Sequence, residues 1–136
     1  MYESESATAS DSYIRGDGHR DAPEIERRYA TKADLERFYG EPIPWTVRAM
    51  VVTEDGFPKA VMGVARHYTM ARAFFDYDEG VNIDSVPYKR ALVEGLKFVR
   101  ESKLTVYAHA EHETGAKLLE RLGFEPWYED FYLWHN

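Results

Sequence analysis

The stretch that decides the fold is residues 118–125, which read Leu118-Leu119-Glu120-Arg121-Leu122-Gly123-Phe124-Glu125. The leucines keep helical spacing up to Leu122, and Gly123 then stands at the position where helices commonly end. Phe124 opens an extended segment. Because residues 104–109, just before the helix, have the composition of a strand, this part of the chain predicts a strand–helix–strand unit.

The bulk composition limits the classes of protein that the chain can belong to. It has 136 residues, of which 44% are hydrophobic and 15% aromatic, so one domain with a real core is possible. The formal net charge of −7 argues against nonspecific binding to nucleic acid or to anionic membranes, because both need a basic surface. With no cysteine, the chain has no disulfide, thiol nucleophile or thiolate metal site.

The sequence also predicts where the chain resides and how it divides. No apolar run approaches the roughly 20 residues that span a bilayer. The N-terminus is acidic and polar, the opposite of a secretory signal, so we expect an intracellular protein. Residues 1–23 are rich in small and polar residues and predict a tail, whereas residues 24–136 predict one folded domain.

The pattern within the domain predicts strands and helices in the order β-α-β-β-β-α-β-α-β(β). Thr31, with Asp34 three residues later, resembles the capping box that starts a helix. Asp55-Gly56 is a hairpin signal between two strands. Asp84 or Ser85 can cap the second helix. The predicted strands cover residues 24–30, 46–53, 59–68, 69–77 and 104–109, followed by one or two strands within residues 124–134.

This element order, together with the Leu-Gly-Phe at residues 122–124, resembles the GCN5-related N-acetyltransferase (GNAT) superfamily. The resemblance implies an α/β (α+β) fold with a mixed, mostly antiparallel central sheet of six to seven strands, flanked by about three helices. It also implies that the sheet opens between the strands at residues 69–77 and 104–109, and that acetyl-CoA lies in that gap.

In such enzymes, backbone N–H groups at the start of the helix after the fourth strand hold the pyrophosphate, and a glycine-rich loop brings them close. The matching stretch here, residues 79–88, has one glycine and several acidic residues that repel phosphates. Pro87 removes a further N–H donor. The contacts to acetyl-CoA that the resemblance implies are Phe75, Ser85, Tyr88, Lys89 and Arg90; for Lys89 and Arg90 the alternative is a solvated position on the outer helix face.

The catalytic groups of the family are only partly matched. Its tyrosine acid falls on Leu119, which cannot donate a proton. His112 stands where the family often has an asparagine and is a candidate acid, unless it only caps the helix or faces solvent. Asp76 and His109 are candidate bases for the attacking amine, the alternative for Asp76 being an exposed acidic turn. No metal site is expected from the histidines.

Aromatic residues crowd the C-terminus. Trp127, Phe131 and Trp134 cannot all face the core, because side chains alternate along a strand. Exposed aromatic residues are frequent interface anchors, so we assign these three, with Tyr13 and Ile14 of the tail, as candidate partner-binding residues. The alternative is ordinary packing at the edge of the sheet.

The sequence predicts two alternative functions of different kinds for this chain. The favoured one is a degenerate acetyltransferase-like domain with a structural or partner-binding role. Its compact ending is similar to that of the short acetyltransferase-like proteins of tailed bacteriophages, which implies a protein partner or a virion assembly. The alternative is an acetyl-CoA-dependent N-acyltransferase that acts on an amine. No cofactor is certain, and acetyl-CoA is expected only if the chain is an enzyme.

Overall fold

A computed structural model describes residues 22–44, 46–67 and 69–136. The predicted element order is confirmed, with seven strands and three helices in this part of the chain. The elements are β1 (Ile25–Tyr29), α1 (Lys32–Tyr39), β2 (Thr46–Glu54), β3 (Phe57–His67), β4 (Met70–Tyr77), α2 (Val86–Ser102), β5 (Thr105–His109), α3 (Glu113–Leu122), β6 (Glu125–Tyr128) and β7 (Phe131–Trp134).

All seven strands form one sheet in the order β1-β2-β3-β4-β5-β7-β6. Every neighbouring pair is antiparallel except β4 and β5, which are parallel and joined through α2. The β2–β3 hairpin turns at Asp55 and Gly56, whose φ angles of 52° and 85° are those of the tight turn that the sequence predicts. The sheet is therefore mixed and mostly antiparallel, as expected.

The two faces of the sheet carry separate apolar clusters. On the first, here called the α1 face, Leu35 of α1 packs on Val51 and Val61. On the second, the α2 face, the larger cluster includes Met62, Phe98 and other residues of the sheet and α2, and the inner side of α3 packs against it. Within the described part of the chain, the eight residues of α1 are the helix that covers the α1 face, which leaves that face less covered toward β5, β7 and β6.

A partly buried ion pair fixes the start of α1 against β1. Thr31 and Asp34 form the predicted capping box, and Arg28 donates to both carboxylate oxygens of Asp34, at 2.5 and 2.9 Å. The hydrogen bonds from Arg28 are the main cause that lowers the pKa of Asp34 to about 2. This clamp positions α1, whose last residue, Tyr39, borders the candidate site.

Several local predictions are refined by the structure. Residues 124–134 form two strands joined by a turn at Glu129 and Asp130. Ser85 stands at the N-cap of α2, although its side chain makes no capping hydrogen bond. The predicted tail residues Tyr13 and Ile14 lie outside the described residues. Among the helices that are described, none combines the length and the apolar character that crossing a membrane requires.

Candidate functional site

The sheet opens between β4 and β5. These strands pair over three residues only, Met70–Arg72 against Thr105–Tyr107. Beyond them, residues 73–77 stay paired with β3, while their other backbone edge has no strand partner among the described residues. Unpaired backbone N–H and C=O groups seek partners, so this edge can bind an extended chain that carries amide groups.

A cavity of about 460 Å³ lies on the α1 face beside this opening. Alternation along β4 brings Arg72, Phe74 and Asp76 to its wall, Tyr107 enters from β5, and α1 adds Tyr39. The remaining lining residues are Leu35, Glu41, Pro42, Ile43, Pro44, Val47 and Ala65. The volume falls within the roughly 300–1,000 Å³ of typical small-molecule sites.

Two polar side chains of the cavity wall, Tyr39 and Asp76, are joined by a hydrogen bond. The Tyr39 hydroxyl donates to Asp76 Oδ2 at 2.5 Å. Desolvation and this hydrogen bond raise the pKa of Tyr39, while the positive charge of Arg72 opposes the shift. The hydroxyl therefore remains a donor that orients the carboxylate. Asp76 Oδ1 has no hydrogen bond within the described part of the chain, so one oxygen of the carboxylate is available to a ligand.

The two histidine candidates lie away from the cavity wall. The His109 ring packs on Phe131 with centroids 4.8 Å apart, and its Nδ1 is 4.0 Å from Glu111 Oε2. His112 is the exposed N-cap of α3 and makes no capping hydrogen bond through its side chain. Of the catalytic candidates, only Asp76 lines the cavity. The described residues include no group of three or more side chains that could hold a metal ion.

The candidate cofactor contacts divide into two groups. Ser85, Lys89 and Arg90 lie at the start of α2, where both cations are exposed and form no ion pair with any described residue. Phe75 is half-buried on β4, on the α2 face.

Tyr88, the remaining candidate cofactor contact, lies in the interior of the protein. It is 1% exposed in the core, and its hydroxyl donates to Glu54 Oε2 at 2.5 Å. Burial and this hydrogen bond raise the pKa of Tyr88. Because both the ring and the hydroxyl already have partners inside the fold, this placement argues against contact with a cofactor.

The C-terminal aromatic residues also divide by face. Trp134 packs on Phe124 on the α2 face, with ring centroids 5.6 Å apart. Trp127 instead contacts Phe131, and it is 55% exposed on the edge strand β6 next to Tyr128, which is 60% exposed. Trp127, Tyr128 and Phe131 are called the aromatic edge below.

Three polar lining residues were missed from the sequence: Tyr39, Glu41 and Arg72. A signal existed for Arg72, because it stands four residues before Asp76 on a predicted strand and so shares its face. Nothing local marks Tyr39 or Glu41, which reach the site only because α1 packs across β3.

The fold is that of known acetyltransferases. The sequence matches no protein-family model and no curated protein. The structure is similar to the crystal structure of the ribosomal-protein-S18-alanine N-acetyltransferase from Escherichia coli, with a TM-score of 0.55 and 17% identity, covering 81% of this chain and 91% of that one. It is also similar to Ard1 from Thermoplasma volcanium, with a TM-score of 0.51 and 17% identity, covering 80% and 94%. At this identity the likeness shows the shared fold alone.

Proposed function

We propose that this chain transfers an acyl group from a pantetheine thioester, acetyl-CoA being the first choice, to a primary amine. The observation that carries the proposal is the position of Asp76: its carboxylate lines a cavity that spans β4 and β5 where the sheet opens. An amine in this cavity and a thioester along the open edge of β4 can meet at one point. The GNAT-like fold supports the same chemistry as an analogy.

The site offers more binding partners to the pantetheine arm of the donor than to its phosphates. The open backbone edge of β4 offers partners to the amides of the pantetheine arm. At the start of α2, however, Pro87 lacks an N–H group, and the preceding loop carries the exposed carboxylates of Asp78, Glu79 and Asp84. Glu79 and Asp84 repel a pyrophosphate and oppose the attraction of Lys89 and Arg90, whereas Asp78 pairs with Lys59, so we expect the nucleotide to add little affinity.

The side chains of the cavity then convert the bound amine into a nucleophile. When bound, acetyl-CoA supplies an acetyl group whose bond to nitrogen forms as its bond to sulfur breaks, leaving the free thiol. A primary amine is protonated near neutral pH, and it becomes a nucleophile once a base removes a proton. Asp76 Oδ1 is placed to accept that proton, and Tyr39 holds the carboxylate in position through Oδ2. The proton that the thiolate takes up comes from solvent, because Leu119 offers none.

The test is acetylation of a panel of small primary amines, followed by release of the thiol. We expect Asp76→Asn to lower kcat by about 10²- to 10⁴-fold, the usual contribution of a general base. Asp130→Asn, in the exposed β6–β7 turn, is the matched control and should leave kcat unchanged. If no amine in the panel is acetylated, or if Asp76→Asn is as active as the control, the proposal is wrong.

A second assay examines the donor. Because the acidic loop provides no binding site for the phosphates, we expect S-acetylpantetheine to be used with a KM within about threefold of that for acetyl-CoA. Replacing Glu79 and Asp84 by glutamine and asparagine should lower the KM for acetyl-CoA alone. A KM for acetyl-CoA that is about 100-fold lower in the unmodified protein would show that the phosphates are held after all.

A second candidate function rests on the aromatic edge. Large exposed aromatic side chains on an edge strand are typical of protein interfaces, and β6 leaves one backbone edge unpaired in the described sheet. This supports a partner-binding role, with a second copy of the chain as the simplest partner. Sedimentation over a range of concentrations tests it, since Trp127→Ser should reduce any self-association. The virion role stays a prediction from the sequence.

A further inference from the structure

An exposed arginine, Arg72, lies in the wall of the candidate cavity. Arg72 forms no ion pair and no hydrogen bond with any residue that the structure describes, although most arginines of the sheet do. Arg27, Arg28 and Arg48 pair with Glu94, Asp34 and Glu101, respectively. Arg72 instead faces the same cavity as Asp76 and Tyr39. An exposed guanidinium in a cavity wall is suited to an anionic group of a ligand, above all a carboxylate.

The cavity therefore has poles of opposite charge. Arg72 and Asp76 share one face of β4 four residues apart, which places their Cα atoms about 13 Å apart along the strand. Glu41 adds negative charge to the wall. Phe74 lies between the two poles on the same face, and Pro42 and Ile43 contribute apolar surface. The long side chain of Arg72 can bring its charge closer to Asp76 than the Cα atoms are.

We propose that the amine acceptor is an ω-amino carboxylate, whose carboxylate binds Arg72 and whose distant primary amine binds Asp76. This inference rests on the proposed function and names its acceptor. A flexible chain of several methylene groups joins the two charged ends and packs on Phe74. An amino acid whose single amine is on the α-carbon has its amine next to its carboxylate, so it cannot reach both poles at once.

Three matched probes separate these requirements. 6-Aminohexanoate has both charges at opposite ends of a six-carbon chain. Hexylamine has the same chain without the carboxylate, and 2-aminohexanoate has both groups at the same end. Binding is measured first by calorimetry, without any acyl donor and at low ionic strength, because salt screens exposed charges.

We expect 6-aminohexanoate to bind at least about tenfold more tightly than either of the other probes, which is the scale of one charge-assisted hydrogen bond. Arg72→Gln should reduce this preference over hexylamine to about one, and Arg72→Lys should restore part of it. Arg121→Gln, on the exposed last turn of α3, is the control and should keep the full preference. Equal affinities for 6-aminohexanoate and hexylamine would overturn the inference.

Acetyl transfer to the same probes distinguishes failure of this inference from failure of the proposed function. If hexylamine and 6-aminohexanoate are acetylated with equal kcat/KM, the acyltransferase proposal holds and the acceptor class is wrong. If 6-aminohexanoate binds with the Arg72-dependent preference but is not acetylated, the site binds ω-amino carboxylates and the proposed chemistry is wrong. A preference in kcat/KM that Arg72→Gln abolishes supports both.

Discussion

Two tyrosines of this protein make the same hydrogen bond in different surroundings, and replacing each by phenylalanine gives a decisive comparison. Tyr88 donates to Glu54 and Tyr39 donates to Asp76, both at 2.5 Å. Tyr88 is 1% exposed in the core, whereas Tyr39 is 39% exposed at the cavity. We expect Tyr88→Phe to affect stability and Tyr39→Phe to affect activity.

The magnitude for Tyr88 follows from what the change leaves behind. Phenylalanine keeps the ring, so its packing in the core cluster of the α2 face is retained, but the half-buried carboxylate of Glu54 loses its donor. A hydrogen bond to a charged group contributes about 1.5–3 kcal/mol. We therefore expect the free energy of unfolding to fall by about 2 kcal/mol, measured by urea denaturation at pH 7 and followed by circular dichroism. The double variant Tyr88→Phe with Glu54→Gln should recover part of the loss, because no charge is then left without a donor.

Tyr39→Phe should give the opposite profile. Solvent can replace the lost hydroxyl, so we expect the free energy of unfolding to change by less than about 1 kcal/mol. Asp76 loses the group that orients it, and kcat/KM for amine acetylation should drop about tenfold. Two results would refute this reasoning: a Tyr39→Phe protein less stable than Tyr88→Phe, or a Tyr88→Phe protein that folds normally and loses affinity for the donor.

Three further predictions concern stability. The pairing of Asp34, whose pKa is lowered to about 2, stabilises the fold above pH 4, and this contribution is lost as the pH falls toward 2. Asp34→Asn should therefore lower the free energy of unfolding by about 2 kcal/mol at pH 7 and make it less dependent on pH over that range. Gly123→Ala should cost about 1–3 kcal/mol in urea denaturation, because φ is 109° and a Cβ would lie 2.9 Å from the Trp134 ring. Gly63→Ala should prevent soluble expression, since its Cβ would lie 2.2 Å from the Arg48 carbonyl oxygen.

The elements that the sequence predicted correctly are those specified by neighbouring residues. The capping box of Thr31 and Asp34 lies within four positions, and the Asp55-Gly56 turn within two. The Leu-Gly-Phe signal has a physical basis in the structure. Gly123 adopts a left-handed conformation that ends α3, and its missing side chain leaves room for Trp134. Such signals can be interpreted without knowing the tertiary structure.

The candidate site depends on contacts that no local pattern encodes. Tyr39 and Asp76 are 37 residues apart in sequence, and Tyr88 and Glu54 are 34 apart. An aromatic residue on the apolar stripe of α2 is compatible with either a core or a ligand position, and only the register of β2 against α2 puts Glu54 within reach of Tyr88. The sequence predicts Asp76 as a candidate base, and the structure adds the hydroxyl that orients it.

The side chains that line the cavity say more about function than the opening between β4 and β5 does. The opening follows from topology, because a parallel pair that ends after Arg72 leaves a gap whichever residues line it. One fold can serve many functions, so the gap alone does not separate an enzyme from a binding domain. The charges of Arg72, Asp76 and Glu41 belong to this sequence, and their exposed side chains can be matched by a ligand of complementary charge. The cavity, more than the gap, is therefore where the enzymatic and the partner-binding hypotheses diverge.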